Sequence, residues 1–302
     1  MIRIGVDFGG TKIEAAALDS AGEFAARVRR RNPGDYAGSL EAMHEVVAEA
    51  ERDAGAAGAT VGVGVPGSIS PRTGRMRNAN SVWLNGKPFQ ADLERTLGRP
   101  VRLENDANCF ALSEALGGAA AGASTVFGAI LGTGCGGGVV VRGHTVEGAN
   151  SIGGEWGHTP LPWPSAEERA AHVCWCGRSG CLETWISGTG FCDDYERARG
   201  GERLSGDAIM ERARAGEAAA RDAYARYVDR LARGLAVICD IIDPDVIVFG
   251  GGMSNVGGLY DDVPPLVARY AFSDVFVTRI VKARFGDSSG VRGAAWLWPL
   301  ER

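Results

Sequence analysis

The sequence has no long apolar run, no extended basic run and no excess of positive charge. None of its apolar stretches approaches the roughly 18 to 20 residues of a transmembrane helix, so no membrane contact is predicted. Lysine and arginine never exceed three in a row, at Arg29–Arg31, and the net charge is -5, which argues against a nucleic-acid partner. The chain opens on a strand-like segment, MIRIGVDFGG, without the features of a secretory signal peptide.

Cysteine does not follow the pattern of a disulfide-stabilised secreted protein. There are seven cysteines, an odd number, and three of them lie within the short segment Cys174–Cys181. The other four are scattered: Cys109, Cys135, Cys192 and Cys239. This distribution fits a reducing compartment and predicts a cytoplasmic protein.

Length and glycine content indicate the domain organisation. A chain of 302 residues exceeds the size at which single hydrophobic cores stop growing, so two lobes are predicted. The small residues GGAAAGA at 117–123 are interpreted as the passage between them. The predicted N-terminal lobe comprises residues 1–117 and 287–302, and the predicted C-terminal lobe comprises residues 118–286. Glycine makes up 45 residues, about double the usual ~7%, and it is clustered.

The densest group of metal-ligand side chains lies in the segment 153–183. One histidine and three cysteines follow one another there: His158, Cys174, Cys176 and Cys181. This set completes the tetrahedral coordination of zinc with no open position, so the metal would be structural. A disulfide or a set of buried thiols is the alternative, but the C-x-C spacing is too tight for an easy disulfide between its own cysteines.

Two carboxylates flank these ligands, Glu155 and Glu183. A zinc ion bound between them would hold both carboxylates in one rigid neighbourhood. Because a fixed carboxylate accepts hydrogen bonds from hydroxyl groups, the pair can bind a polyol.

The first of two glycine-rich turns follows the strand Ile2–Val6. It reads Asp7-Phe8-Gly9-Gly10-Thr11-Lys12 and leads into a second apolar strand, Ile13–Leu18. The N–H groups of such a turn can face a phosphate, although one such turn alone is equally well an ordinary glycine hairpin.

The second glycine-rich turn repeats this arrangement. The strand Thr125–Leu131 runs into Gly132-Thr133-Gly134-Cys135 and three further glycines, and the strand Val139–Val141 follows. Two such turns, each opening a lobe, predict a protein that clamps a polyphosphate between facing turns.

Asp106 follows the strand Val101–Leu103 and precedes a helix over Cys109–Leu116. One interpretation is a helix cap, which contributes roughly 1 kcal/mol. The other is a carboxylate presented at the end of a sheet, where α/β proteins bind their ligands.

Two further loops have the composition of binding segments. Residues 78–86 combine amide side chains with Trp83, which favours a sugar-facing loop over a simple capped turn. The strand Val246–Phe249 ends in Gly250-Gly251-Gly252, where a flat ring or a ribose can lie close to the backbone.

Periodicity predicts the remaining elements of an α/β fold. A helix is predicted over Ser39–Ala54, and a helical region over Gly206–Ile242 must end at Asp243-Pro244. A strand over Val275–Ala283 and an apolar helix through Trp298 close the chain.

Taken together, these segments resemble the ROK family (repressors, open reading frames and kinases), and the resemblance covers essentially the whole chain. Within the family, the sequence is most similar to bacterial fructokinases that also accept mannose. The segments that carry the family resemblance are 7–12, 104–108, 131–138, 155–158, 174–183 and 250–252.

The resemblance implies an actin/hexokinase-like (ribonuclease H-like) ATPase fold of two lobes and transfer of phosphate from ATP to a hexose. Fructose, and also mannose, would be converted to the 6-phosphate. Glucose, N-acetylglucosamine and N-acetylmannosamine remain alternative substrates, because nothing in the residues excludes an N-acetyl group. The resemblance also implies a homodimer.

The resemblance assigns roles residue by residue. Asp106 would accept the proton of the attacking hydroxyl, and Asp7 would lie near Mg²⁺. The sugar would be bound by Asn80, Asn105, Asp106, Glu155, His158 and Glu183. ATP would be bound by Asp7, Gly9, Gly10, Thr11, Lys12, Gly132, Thr133, Gly134, Gly250, Gly251 and Gly252. A family repressor would need a DNA-binding module ahead of Asp7, and a non-catalytic sugar sensor would be expected to lack Asp106 or one glycine turn.

Overall fold

The computed structural model describes residues 2–169 and 172–299. Residues 1 and 300–302 of the predicted N-terminal lobe, and residues 170–171 of the predicted C-terminal lobe, lie outside the described residues. The chain forms two compact units. Unit 1 comprises Met1–Gly122, Gly138–Gly154 and Arg284–Arg302, and unit 2 comprises Ala123–Gly137 and Glu155–Ala283. The lobe boundaries given above stay a prediction.

Strands and helices alternate along the chain, as expected for an α/β protein. The strands are β1 (Arg3–Phe8), β2 (Lys12–Leu18), β3 (Phe24–Arg31), β4 (Thr60–Val65), β5 (Ser68–Ile69), β6 (Met76–Arg77), β7 (Val101–Asn105), β8 (Thr125–Leu131), β9 (Cys135–Val141), β10 (His144–Thr145), β11 (Val246–Gly250) and β12 (Arg279–Lys282). The helices are α1 (Tyr36–Ala54), α2 (Phe89–Leu97), α3 (Asp106–Leu116), α4 (Ala166–Arg169), α5 (Glu183–Ile186), α6 (Gly188–Arg199), α7 (Gly206–Arg214), α8 (Ala218–Ile242), α9 (Leu259–Tyr270) and α10 (Ser289–Trp296). Short 3-10 helices lie at Val82–Leu84, Trp156–His158, Gly252–Asn255 and Gly286–Ser288.

Unit 1 is built on a sheet with the strand order β3-β2-β1-β4-β7. The β1–β2 hairpin is antiparallel, whereas β1, β4 and β7 run parallel. Helix α1 packs its Met43, Val46 and Val47 into the core cluster formed by these strands. Helix α10 crosses glycines of the sheet: a Cβ added at Gly5 or Gly62 would lie 1.9 Å from a carbonyl oxygen of that helix. Glycine is therefore required for the close approach of α10.

Unit 2 contains the parallel strands β8, β11 and β12, with β11 between the other two. Strand β11 is fully buried, as expected for a parallel strand covered on both faces. Strand β9 begins in unit 2, and its last residues pair with β10 within unit 1.

The structure confirms most of the predicted elements and corrects the bounds of several; the last helix, for example, ends at Trp296 and does not reach Trp298. Helix α1 begins at Tyr36, three residues before the predicted start, because the Asp35 side chain caps it by accepting a hydrogen bond from the Gly38 N–H. The helical region after Gly206 is two helices, since the chain turns at Gly216 with φ of 95°. The last strand begins only at Arg279, and Val277 before it is 84% exposed.

Helix α8 ends at Asp243-Pro244 as predicted. Across residues 2–169 and 172–299, no helix combines the length and apolarity that a membrane crossing requires.

Candidate active site

Unit 1 collects several predicted site residues at one edge of its sheet. Strands β1, β4 and β7 are parallel neighbours, and their pairing places Asp7 beside Gly64 and Asn105 beside Val65. The carboxyl ends of all three strands therefore meet at this edge, which is where open α/β sheets bind their ligands. Both the first glycine turn (Gly9–Thr11) and Asp106 follow directly from these strand ends.

The first glycine turn is closed by a hydrogen bond from the Gly9 N–H to the Lys12 carbonyl, 2.9 Å. The Asn32 side chain supports it by donating to the Gly9 carbonyl, 2.8 Å. Gly10, Thr11 and Lys12 are exposed. The turn therefore presents polar backbone to solvent, as a phosphate-binding turn must.

Asp7, immediately before this turn, has a carboxyl group that is largely removed from water. Burial, together with the neighbouring charge of Glu14, raises the pKa of this carboxyl group to about 6, against the opposing effect of Lys12. Gly290 of α10 lies against this carboxyl group, because a Cβ added at Gly290 would be 3.5 Å from Asp7 Cγ. A partly desolvated carboxyl group beside a glycine turn is suited to bind a cation.

Asp106 is the first residue of α3, and the cap of that helix is Asn105 rather than Asp106. The Asn105 Oδ1 accepts a hydrogen bond from the Ala107 N–H, 2.9 Å, while its Nδ2 donates to the Gly67 carbonyl, 3.1 Å. The interpretation of Asp106 as the N-cap of α3 is therefore wrong, because Asn105 occupies the capping position. The Asp106 Oδ1 also accepts a hydrogen bond from the Ala107 N–H, 2.8 Å. The Asp106 residue is exposed, so its carboxylate is presented at the sheet edge.

Glu104 is a carboxyl group of this site to which the sequence assigned no role. It is 8% exposed and accepts hydrogen bonds from the Asn105 N–H, the Asn108 side chain and the Thr145 hydroxyl. Burial raises its pKa to about 7, against these donors. Its place in the segment E-N-D-A-N was the available signal, but its burial depends on Thr145, which is distant in sequence.

The loop at 78–86 only partly matches its prediction. Asn80 is exposed, while Leu84 is fully buried. The Trp83 ring packs against the core cluster of unit 1, and its Nε1–H donates to the Ser39 hydroxyl, 3.2 Å. Trp83 is half-buried and contributes to the core, and the sugar-facing role of this loop stays a prediction.

The second glycine turn (Gly132–Gly134) lies in unit 2 and is more closely packed. The Gly132 N–H donates to the Gly134 carbonyl, 3.0 Å, and the Gly188 N–H at the start of α6 donates to the Gly132 carbonyl, 2.7 Å. Gly251 has φ of 77°, and a Cβ added there would lie 2.6 Å from the Leu131 carbonyl. Gly251, one of the three predicted adenosine glycines, therefore packs directly against this turn. Strand β9 already begins at Cys135, so the turn is shorter than predicted.

A cavity of about 540 Å³ opens beside this turn within unit 2. It is lined on one side by Gly132 and Thr133 and on another by Gly252 and Met253. Its remaining walls include Gly188, Thr189, Cys192, Arg203, Ser205, Gly206, Asp207, Asn255 and Val256. Its volume is in the range of small-molecule sites, and it combines glycine backbone with a few polar side chains.

The structure brings the four predicted metal ligands together in unit 2. The donor atoms of His158, Cys174, Cys176 and Cys181 all lie within 4.8 Å of one another. The His158 Nδ1 is 3.6 Å from Cys174 Sγ, and Cys176 Sγ is 3.6 Å from Cys181 Sγ. The described cysteines form no disulfide. Gly177 and Gly180 have positive φ angles, 85° and 78°, and form sharp turns between the cysteines that glycine favours.

Glu183 connects this cluster to the second glycine turn. Its Oε2 accepts a hydrogen bond from the Cys135 N–H, 2.9 Å, and its Oε1 accepts from the Trp175 Nε1–H, 2.6 Å. Glu155 is exposed and precedes the 3-10 helix that carries His158. Sequence reasoning missed Trp175, although its position between two cysteine ligands was a signal.

Known relatives align with the chain over nearly its full length. The N-acetyl-D-glucosamine kinase of Photobacterium profundum is 41% identical over 298 residues, 97% of this chain and 98% of the relative. The N-acetyl-D-glucosamine kinase of Vibrio cholerae is 42% identical with the same coverage. These relatives do not support the resemblance to fructokinases within the family.

A solved structure matches the fold as well. The ROK hexokinase from Thermus thermophilus superposes with a TM-score of 0.86 at 32% identity, over 98% of this chain and 97% of that protein. This match confirms the predicted actin/hexokinase-like α/β fold. The ROK family itself matches residues 3–301. The chain therefore belongs to the ROK family.

Proposed function

We propose that the protein is a kinase that transfers the γ-phosphoryl group of ATP to a hydroxyl of N-acetyl-D-glucosamine. The observation that carries this proposal is the 41–42% identity, over 97% of the chain, to kinases named for that sugar. It replaces fructose by one of the alternatives that the sequence left open.

In this proposal Asp106 accepts the proton of the attacking sugar hydroxyl. Its carboxylate is exposed at the first turn of α3, near the partial positive charge of the helix N-terminus. Phosphoryl transfer depends mainly on positioning and charge neutralisation, so a modest base within hydrogen-bond reach is sufficient.

The proposed sugar ligands are Asn80, Asn105, Asp106, Glu155, His158 and Glu183, as the family resemblance implies. Asn105 uses its side chain to cap α3 and to bond Gly67, but an amide side chain retains one N–H and one lone pair for a hydroxyl.

The nucleotide would use the glycine-rich segments. In each turn the N–H of the first glycine, Gly9 or Gly132, closes the turn, and the other backbone N–H groups would bind phosphate oxygens. The cavity beside Gly252 would receive the adenosine. Asp7 would help to hold Mg²⁺, which neutralises phosphate charge when it is bound.

Zinc is the metal that fits the Cys/His cluster. One imidazole and three thiols with donor atoms within 4.8 Å of one another can contract around one ion with Zn–S near ~2.3 Å and Zn–N near ~2.0 Å. Because no coordination position stays open, we assign zinc a structural role. The homodimer stays a prediction.

Initial rates of ATP-dependent phosphorylation across a panel of sugars test the proposed function. The panel contains N-acetylglucosamine, N-acetylmannosamine, glucose, mannose and fructose at equal concentration. We expect the highest kcat/KM with N-acetylglucosamine. A higher value with fructose would restore the original prediction, and no turnover of any member would refute the assignment as a sugar kinase.

A further inference from the structure

The Glu183 carboxylate is held at both of its oxygens, and the two donors differ in kind. The Cys135 N–H belongs to the backbone that leaves the second glycine turn. The Trp175 Nε1–H, at 2.6 Å, belongs to a side chain between two metal ligands. Of the two donors, only the Trp175 N–H can be removed by a side-chain substitution.

Trp175 is more exposed than a tryptophan that only packs in a core. Its side chain is 66% exposed, although large aromatic side chains are usually mostly buried. Its ring meets the His158 ring edge to face, with centroids 5.0 Å apart and an interplanar angle of 81°. Trp175 thus contacts two residues that we propose as sugar ligands and buries little of its own surface.

The charges close to Glu183 Oε1 indicate what the Trp175 Nε1–H donor does. Cys174 Sγ lies 3.9 Å from the same oxygen. When the cysteine ligates a metal it is a thiolate, and a carboxylate oxygen beside a thiolate is repelled. A charge-assisted hydrogen bond from the indole N–H opposes that repulsion and keeps the carboxylate in place.

The other oxygen of Glu183, Oε2, is confined by the second glycine turn. A Cβ added at Gly134 would lie 2.8 Å from Glu183 Oε2, so the turn packs directly against this oxygen. With Oε2 fixed by the turn, the rotation of the carboxylate group is set by what binds Oε1.

We propose that Trp175 is a positioning residue of the sugar-binding site, whose indole N–H fixes the orientation in which Glu183 accepts a sugar hydroxyl. This inference rests on the proposed function. The pre-ordered carboxylate needs no reorganisation when the sugar binds, so its benefit appears in sugar affinity.

The test compares Trp175→Phe with wild type. Phenylalanine keeps an aromatic ring beside His158 but has no N–H donor. We expect KM for the sugar to rise by about 10-fold, which corresponds to the loss of roughly one charge-assisted hydrogen bond. The value of kcat should change by less than about twofold, because the phosphoryl-transfer groups are untouched. Trp175→Gln, which retains an N–H donor without the ring, should recover part of the affinity.

Trp163→Phe is the matched control. Trp163 is also an exposed tryptophan of unit 2, at 56%, but it stacks on Tyr270 with ring centroids 5.7 Å apart and has no contact with Glu183 among those described. Its variant should keep wild-type KM. Zinc content per chain, measured on all variants, distinguishes loss of the donor from loss of the metal.

An unchanged KM in zinc-replete Trp175→Phe would overturn the inference, and so would an equal rise in Trp163→Phe. The ratio of variant to wild type is measured on whichever sugar the wild type phosphorylates, and sugar binding is also followed by calorimetry without ATP. The outcome for Trp175 therefore does not depend on which sugar is the substrate. The panel of sugars decides that separate question.

Discussion

The two glycine turns share a sequence pattern but are supported in different ways. The first, Gly9–Thr11, projects into solvent and is braced by one side chain, that of Asn32. The second, Gly132–Gly134, is held by the N-terminus of α6, by Gly251 and by Glu183. The same backbone motif can therefore form an exposed turn or a closely packed one.

The carboxyl groups beside the two turns also differ in their surroundings. The carboxyl group of Asp7, beside the first turn, is desolvated by burial, and this raises its pKa to about 6. Glu183, beside the second turn, accepts two N–H donors. Burial disfavours charge on a carboxyl group, whereas N–H donors favour it. Unit 1 therefore has a desolvated carboxyl group beside its glycine turn, and unit 2 has a carboxyl group that is held at both of its oxygens.

Removing the proposed base without touching either turn should have the largest effect. Asp106→Asn keeps the size of the side chain and an acceptor oxygen but removes the proton acceptor. Turnover should fall by roughly 10²-fold or more, while sugar affinity largely survives. Steady-state kinetics together with calorimetric sugar binding measure this. A variant with near-normal turnover would show that Asp106 serves only the start of α3.

Removing a metal ligand near the second glycine turn should have the next-largest effect. Cys181→Ser removes one of four ligands, and we expect loss of zinc and a KM for sugar roughly 10- to 100-fold higher, since Glu183 is two residues away. Elemental analysis and kinetics measure both quantities. Cys239→Ser, on α8 outside the cluster, is the control and should retain zinc. Wild-type protein purified without zinc would contradict the assignment of the metal.

A pair of glycine substitutions compares the turns directly. Gly251→Ala places a Cβ 2.6 Å from the Leu131 carbonyl at φ of 77°, and strain of roughly 1–3 kcal/mol predicts about 10-fold weaker ATP binding. Gly10→Ala meets only the Ser81 hydroxyl, at 3.6 Å, and should change ATP affinity by less than about twofold. Equal losses in the two variants would show that the turns are supported alike.

The smallest effect concerns the buried carboxyl group behind Asp106. The pKa of Glu104, about 7 in the folded protein, lies above its ordinary value of 4.5. Between these values the folded state retains a proton that the unfolded state has released, so the free energy of unfolding falls as the pH rises. Glu104→Gln should remove part of this fall, as measured by urea unfolding at pH 5 and pH 8.

The exposed Glu41→Gln is the control for that measurement and should keep the wild-type pH dependence. An identical pH dependence in Glu104→Gln and wild type would show that Glu104 is not protonated in the folded protein.

The sequence predicted what depends on local pattern. The two glycine turns, the strand Thr125–Leu131 and the four-residue metal cluster all arise from residue type in a local pattern. A tight turn needs glycine and a zinc-binding loop needs cysteines, and neither requirement depends on the rest of the fold.

The sequence failed where long-range contacts decide. Asn105 caps α3 because its amide also reaches Gly67, which the local pattern around Asp106 does not reveal. Trp83 turned inward because Ser39 of α1 offers its indole a partner. Glu104 accepts a hydrogen bond from Thr145, and Trp175 donates one to Glu183; the sequence singles out the segments but does not reveal these pairings. The preference among hexoses depended on resemblance alone, and the relatives corrected it.

The most direct test of the proposed function is a competition in one vessel. Equimolar N-acetylglucosamine and fructose are incubated with the protein and limiting ATP, and the phosphorylated products are identified by mass spectrometry. The account predicts that N-acetylglucosamine phosphate accumulates first and in large excess. Fructose phosphate as the dominant product would contradict it.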